Sequence, residues 1–395
     1  MKFLKWTSSV VLAVALYSCN GQAEERLKSL EELTDQVINE HVSDKRLAVA
    51  EPVLKLEEGK LVLLGKTDMP EVKEAVLKAL SEKGEVIDRM ELLPEAELGD
   101  NHFAVVNISV ANMRVRGSHS AGMAKQATMG EVLKVLEKEG SWYRVQTTDH
   151  YIGWISNGSI ELATSEAKQS WDSRPKVIYT KPTGFVYENT FDKEKTVSDI
   201  VYGNLLALKE TQTHRYKVEF PDGREGFVLK SEAMPIEEWK QTRVLTQENL
   251  VNTAKTYLGL PYNWGGNSYK GVDCSGFTGG VYFANGLLLP RDASQQVRIG
   301  DEIDTLNNFA NLQDGDLLFF GRGATDSTTE KVTHVGMWIG NQSFIHSSGH
   351  VRISSVDSTA ENYDEYNLNR LLHVKRVLGS KNLKETIDLK ISKAL

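Results

Sequence analysis

A run from Leu260 to Gly280, LPYNWGGNSYKGVDCSGFTGG, constrains this chain more than any other stretch. It carries Cys274, one of only two cysteines in 395 residues. Upstream of it, Tyr262-Asn263-Trp264-Gly265-Gly266 is punctuated by glycine as a turn is. Downstream, Phe277, Val281, Tyr282 and Leu288 recur at helical spacing. Cys274 is therefore expected at or near a helix N-terminus, where free backbone amides and the helix dipole favour an anion and lower a thiol pKa. A cysteine in that position needs a base.

Two histidines further on are placed to supply one. Residues 332–340 and 343–348 read as short apolar strands around the turn Gly340-Asn341-Gln342. The hairpin puts His334 and His346 on neighbouring strands, and in the right register their rings share a face. The order is nucleophile, base, orienter: Cys274 attacks, His334 takes and returns the proton, and His346 fixes the imidazole. If the pair rests as thiolate and imidazolium, no buried carboxylate is needed behind it. Two other readings compete. A lone cysteine is often a buried core residue. A Cys/His/His zinc site is the second, but zinc sites usually show a close ligand pair, and here the nearest two candidates are spread across a hairpin. The expectation is no metal and no organic cofactor.

The words PYNWGG, DCSGF, THVGMWIG and FIHSSG, in that order, resemble the NlpC/P60 family of cell-wall cysteine peptidases. The similarity covers roughly residues 246–377. It implies an α+β, papain-like catalytic domain, in which a helix bearing the nucleophile packs on an antiparallel sheet. It also implies Cys274 as nucleophile, His334 as general base and His346 as the third polar member. Tyr262 would place its hydroxyl beside the oxyanion, together with the backbone N–H of Cys274.

The N-terminus reads as a targeting segment. Lys2 and Lys5 precede an apolar run, Val10 to Leu16, too short to span a bilayer. Ser18-Cys19 resembles the lipobox of bacterial lipoproteins, which implies lipidation of Cys19, an anchor in a bacterial membrane and a place in the cell envelope; a plain secretory signal is the alternative. Losing residues 1–18 makes the formal charge of −8 two units more negative. Such a balance argues against electrostatic binding to nucleic acid, which needs clustered Lys and Arg. With Cys19 and Cys274 both committed, no thiol is left for a disulfide, but 40% hydrophobic residues are enough for a sizeable core.

Between leader and catalytic domain, three further units are expected. Residues 19–101 read as a small α+β domain: an amphipathic helix over 24–39, strands over 47–56 and 61–64, a helix over 71–81 entered through Pro70, and a returning strand over 86–93. Residues 102–165 carry short strands and turns at the spacing of a small barrel. Their words NMRVR, MGEV, SWYRV and YIGWI resemble bacterial SH3-like domains. A more divergent copy follows over 170–240, where Asp222-Gly223 marks a tight hairpin turn. The polar stretch 161–175 reads as the linker between copies. The catalytic domain then spans 245–378, and 379–395 is a C-terminal tail.

Two SH3-like modules before such a domain resemble the γ-D-glutamyl-L-diamino-acid endopeptidases. That subgroup cuts peptidoglycan stem peptides whose L-Ala amine is free, the first SH3-like module closing one end of the cleft. The resemblance implies that Asp273 meets this ammonium, that Ser275 bonds the α-carboxylate of D-Glu, and that Tyr151 is an aromatic contact. Two positions depart from the subgroup: its acidic residue in the first SH3-like module would fall near Gly122, and a cleft serine falls at Ala293, next to Ser294. Asp273 and Ser275 also read as helix-capping residues. The function expected is peptidoglycan hydrolysis. The alternatives are a non-catalytic wall-binding lipoprotein and a papain-like amidase or acyltransferase acting on another amide. Oligomeric state and the choice between lysine and diaminopimelate are not set by the sequence.

Overall fold

A computed structural model of the chain describes residues 7–189, 195–306, 308–383 and 385–389, with side chains described from Glu24 onward. The leader expected over 1–18 and the lipidation candidate Cys19 lie outside the residues whose side chains are described. Among the described residues, no helix is long and apolar enough to cross a membrane. The chain divides into two compact units, Met1–Gly99 and Asp100–Leu395.

In the first unit a long helix, Thr7–His41, precedes a hairpin of Ala50–Glu57 and Lys60–Thr67. The helix Pro70–Ser81 then crosses over, and Val86–Asp88 and Glu91–Leu92 each pair in parallel with Lys60–Thr67. Val72, Val76 and Leu80, four residues apart on one helix face, bury against Leu54, Leu61 and Leu63 of the hairpin. The single strand expected over 86–93 is broken at Arg89-Met90, where the Met90 side chain is buried in the core.

The second unit holds three parts. Residues 103–163 form a seven-stranded sheet in the order Ile160–Ala163, Phe103–Val106, Val132–Glu139, Trp142–Gln146, Ile152–Ser156, Val110–Arg114, Met123–Thr128. Residues 176–235 form a second seven-stranded sheet, and its pairings repeat the first strand for strand, from Ala233–Pro235 beside Lys176–Tyr179 to Thr183–Tyr187 beside Thr196–Val201. Two sequences that share few residues thus specify one topology. The stretch expected to be a polar linker is structured. Thr164 caps a helix over Ser165–Ser173, accepting from the Ala167 amide. Its Trp171 is buried against Val105 and Ala207 and donates to the Gly130 carbonyl at 3.2 Å, which ties the two sheets together.

The third part is a six-stranded antiparallel sheet in the order Asp301–Glu302, Leu371–Arg376, Leu317–Arg322, Lys331–Trp338, Ser343–Ser348, His350–Ser355. The helix Cys274–Ala284 lies on it, burying Phe277 and Val281 among Leu317, Phe319, Val335, Met337 and Ile345. The expected tail does not trail away: Ile387–Asp388 pair with Leu287–Leu288, and Leu389 is buried beside Trp239.

Candidate active site

Asp273 ends the glycine-rich loop and caps the helix, accepting from the Gly276 amide at 2.7 Å. Cys274 is therefore the first helical residue. The loop is held hard against the helix start. A Cβ on Gly276 would stand 2.0 Å from the Gly266 carbonyl oxygen, so only glycine fits there. On the sheet, His346 pairs opposite Gly336, which makes His334 its diagonal neighbour on the same face. The rings meet, with His334 Nε2 and His346 Nδ1 2.8 Å apart.

The chain of contacts continues past His346 to residues that motif reading missed. His346 Nε2 lies 3.1 Å from Ser354 Oγ, and Ser354 donates to Asp364 Oδ2 at 3.2 Å. Burial works against the charge of Asp364, but hydrogen bonds from the Asn367 side chain and amide and from the Ser354 hydroxyl outweigh it and keep the carboxyl below the usual range. An ionised carboxylate only accepts. The Ser354 hydroxyl proton therefore points at Asp364, and its oxygen accepts from His346 Nε2–H. His346 Nδ1 is then bare and accepts from His334 Nε2–H, which leaves the lone pair on His334 Nδ1 to act as base. Arg352 Nε, 3.5 Å from His346 Nε2, is too far to reverse this order. With both nitrogens of His346 engaged, it is not available to a metal.

The charge state differs from the ion pair expected at rest. Burial, helped by the Asp273 charge, pushes the Cys274 thiol up to about 12, against the pull of the Val335 amide, Arg291 and the Ser275 amide. Burial and the Arg370 charge take His334 down to about 4, while burial and His334 take His346 down to about 3. The resting pair is a neutral thiol and a neutral imidazole. Desolvation outweighs the helix N-terminus. Tyr262 is half-buried, and burial, then Cys274 and Asp273, push its phenol up to about 12, so its hydroxyl stays a donor at neutral pH beside the sulfur.

Asp273 and Ser275 face inward. Asp273 accepts from the amides of Gly265 and Gly276 and from both Nη atoms of Arg291, the shorter contact at 2.6 Å. Ser275 Oγ donates to Asp273 and accepts from Arg291. The capping reading describes Asp273 alone; Ser275 lies inside the helix with its hydroxyl engaged by Asp273 and Arg291, and both side chains are buried. Arg291 is buried with its Nε unpartnered among the described residues.

Tyr151 comes from the first seven-stranded module, and its hydroxyl donates to Asp292 of the catalytic domain at 3.1 Å. The same seam brings Met123 against Gly265, whose Cβ would stand 2.8 Å from the Met123 carbonyl oxygen. Gln126 reinforces it by accepting from the Asn267 amide and the Ser268 hydroxyl. No carboxylate stands at Gly122, whose Cβ would meet only Val115 at 4.0 Å. Beside His334 lies an open cavity of about 270 Å³ lined by Tyr262, Thr333, His334, Ser347 and Arg370, among others. A smaller one of about 140 Å³ sits where the three parts meet, among Lys125, Asp149, Leu205, Ser275 and Arg291.

Comparison with known proteins accords with this architecture. The NlpC/P60 family model matches residues 259–371, and the bacterial SH3 domain model matches 109–161. A γ-D-glutamyl-L-lysine dipeptidyl-peptidase from Bacillus cereus is 34% identical over 56% of this chain and 66% of its own length. One of the same description from Bacillus subtilis is 32% identical over 56% of this chain and 71% of its own. A solved NlpC/P60 family protein from Bacillus cereus superposes with a TM-score of 0.58 at 26% identity, covering 70% of this chain and 99% of the other.

Proposed function

The chain belongs to the NlpC/P60 cell-wall peptidase family, and on that footing we propose that it is a cysteine endopeptidase hydrolysing the γ-D-glutamyl-L-diamino-acid amide of peptidoglycan stem peptides with a free L-Ala amine. The observations that support this are Cys274 heading its helix with the backbone amide of Val335 against its thiol, and the His334–His346–Ser354–Asp364 chain that starts at the residue before Val335. His334 Nδ1 takes the thiol proton as the sulfur attacks the carbonyl carbon, and the oxygen becomes an oxyanion. The Tyr262 hydroxyl and the Cys274 amide stabilise that charge. The intermediate collapses to a thioester as the C–N bond breaks, and the imidazolium gives its proton to the leaving amine. Water, deprotonated by the same histidine, then releases the acid and restores the thiol.

The acyl half of the substrate belongs at the seam with the first module. Asp292, held by Tyr151, supplies there the carboxylate missing at Gly122, and it suits the L-Ala ammonium better than Asp273 does. The name of the Bacillus relatives, γ-D-glutamyl-L-lysine dipeptidyl-peptidase, supports the bond chosen. The test is L-Ala-γ-D-Glu-L-Lys and its diaminopimelate counterpart beside intact sacculi. The expected products are L-Ala-γ-D-Glu and the free diamino acid, unaffected by EDTA and abolished by Cys274→Ala. An untouched tripeptide, or turnover by that variant, overturns the proposal. The lipid anchor at Cys19 belongs to the same proposal, and a mature N-terminus lacking Cys19 in mass spectrometry rejects it.

A further inference from the structure

We infer that Arg370, with the cavity it lines beside His334, forms a subsite for a carboxylate on the leaving-group side of the scissile bond. The inference rests on the peptidase reading above. His334 must protonate the leaving nitrogen, so the departing diamino acid lies on its side of the sulfur. There the 270 Å³ cavity opens, lined by catalytic-domain residues, whereas Tyr151 and Asp292 meet at the module seam. The two ends of the substrate thus face different chemistry.

Arg370 is set up to bind an anion it does not have. Its Nη2 donates to Thr333 Oγ1 at 2.8 Å, and its guanidinium lies 4.6 Å from the ring centre of Tyr366, a side chain 69% exposed at the cavity rim. These contacts orient the group while leaving most of its N–H donors unused. The more deeply placed arginines of this domain do have carboxylates: Arg291 pairs with Asp273 at 2.6 Å and Arg376 with Asp316 at 2.7 Å. Among the described residues no acidic side chain pairs with Arg370.

Its position also carries a catalytic penalty. After burial, the Arg370 charge is the largest cause holding His334 down, and a cation beside a base opposes the imidazolium that the reaction must form. A carboxylate docked on the guanidinium cancels that charge and restores drive to the base. The leaving group supplies such an anion at its α-carboxylate. Diaminopimelate carries a second one at the far end of its side chain, where lysine has none.

The two sources are separated by substrate. Wild type, Arg370→Gln and Arg370→Lys are assayed on L-Ala-γ-D-Glu-L-Lys as free acid and as C-terminal amide, and on the diaminopimelate tripeptide with and without its ω-carboxylate amidated. Charge-assisted hydrogen bonds of this kind give roughly 10- to 100-fold. Wild type should therefore prefer the acid over the matching amide by about that factor in kcat/KM. The preference should shrink to about twofold in Arg370→Gln and stay intermediate in Arg370→Lys. Collapse in the lysine pair assigns the α-carboxylate, and collapse in the diaminopimelate pair alone assigns the ω-carboxylate. Equal acid-to-amide ratios in all three proteins, with all tripeptides cleaved, overturn the subsite but not the peptidase. No cleavage by wild type overturns both.

Discussion

At Cys274 two effects of opposite sign meet. The helix N-terminus favours a thiolate by about 0.3–1 kcal/mol, whereas an ion buried without full compensation costs several. With Cys274 at 7% exposure, burial wins and the thiol stays protonated. Attack is then coupled to proton transfer, and the acid limb of kcat/KM reports His334. Its pKa in the folded protein lies near 4, below the usual 6.5, so the base is neutral and active above about pH 4 and is lost by protonation below it. The expected profile holds its rate through pH 5, and iodoacetamide modification of Cys274 keeps climbing past pH 9. A thiolate–imidazolium pair would instead give a flat modification rate between about pH 5 and 8, and that result would reject the neutral pair. Asp364 acts one step further out. Asp364→Asn offers an amide N–H that can donate to Ser354, which turns the whole chain of protons around and puts N–H where His334 needs its lone pair. By analogy with outer-shell and wrong-tautomer substitutions, kcat should fall about 10- to 100-fold with KM nearly constant, and Asp364→Glu should recover part of it. A change below twofold would mean that the chain is ornamental to catalysis.

The hairpin that carries both histidines works because one of its positions has no side chain. Gly336 stands opposite His346, and a Cβ there would come within 3.2 Å of the His346 Cβ and 3.0 Å of the Phe344 ring. Gly336→Ala should therefore tilt the His346 ring out of line with His334 and lower kcat by tenfold or more, since displacements near 1 Å reach 10²-fold. Gly323→Ala, which meets only Leu372 at 4.0 Å, is the control expected to leave the rate alone. The hairpin was legible in the sequence because two β-branched runs flank a glycine turn, and the loop-to-helix break at Asp273-Cys274 was legible from the switch to helical spacing. Asp364 was not. It lies past a turn-rich stretch without periodicity, and it reaches Ser354 only because its amide bonds the Ser355 carbonyl at 3.0 Å. The helix over Ser165–Ser173 was missed for a different reason. Its composition is polar and only Trp171 is buried, so tertiary contact decides a segment whose one readable signal was the Thr164 cap. The inward commitment of Asp273 depended on Arg291, eighteen residues away, which no local pattern announces.

Across the whole second unit, the catalytic part borrows a wall from the first seven-stranded module, and the join is polar. Gln126 is the hub of that join: its side-chain oxygen accepts from the Asn267 amide at 3.1 Å and the Ser268 hydroxyl at 2.9 Å, and its own amide donates to Asn267 Oδ1 at 2.8 Å. All three lie in the loop that leads into Cys274. Gln126→Ala leaves the Asn267 amide and the Ser268 hydroxyl buried at the seam without their acceptor, at about 1–3 kcal/mol each before water relaxes the site. The module should then sit less firmly against Gly265 and Asp292. The reacting groups are untouched, because Cys274, His334 and His346 hang on the helix and the sheet rather than on the seam. KM for the free-amine tripeptide should therefore rise several-fold, whereas kcat and the rate of Cys274 alkylation by a small reagent should stay within about twofold of wild type. Urea unfolding of the variant should lose about 2 kcal/mol. A parallel fall in alkylation would show that the seam also shapes the nucleophile, and the separation of wall from chemistry would then be wrong.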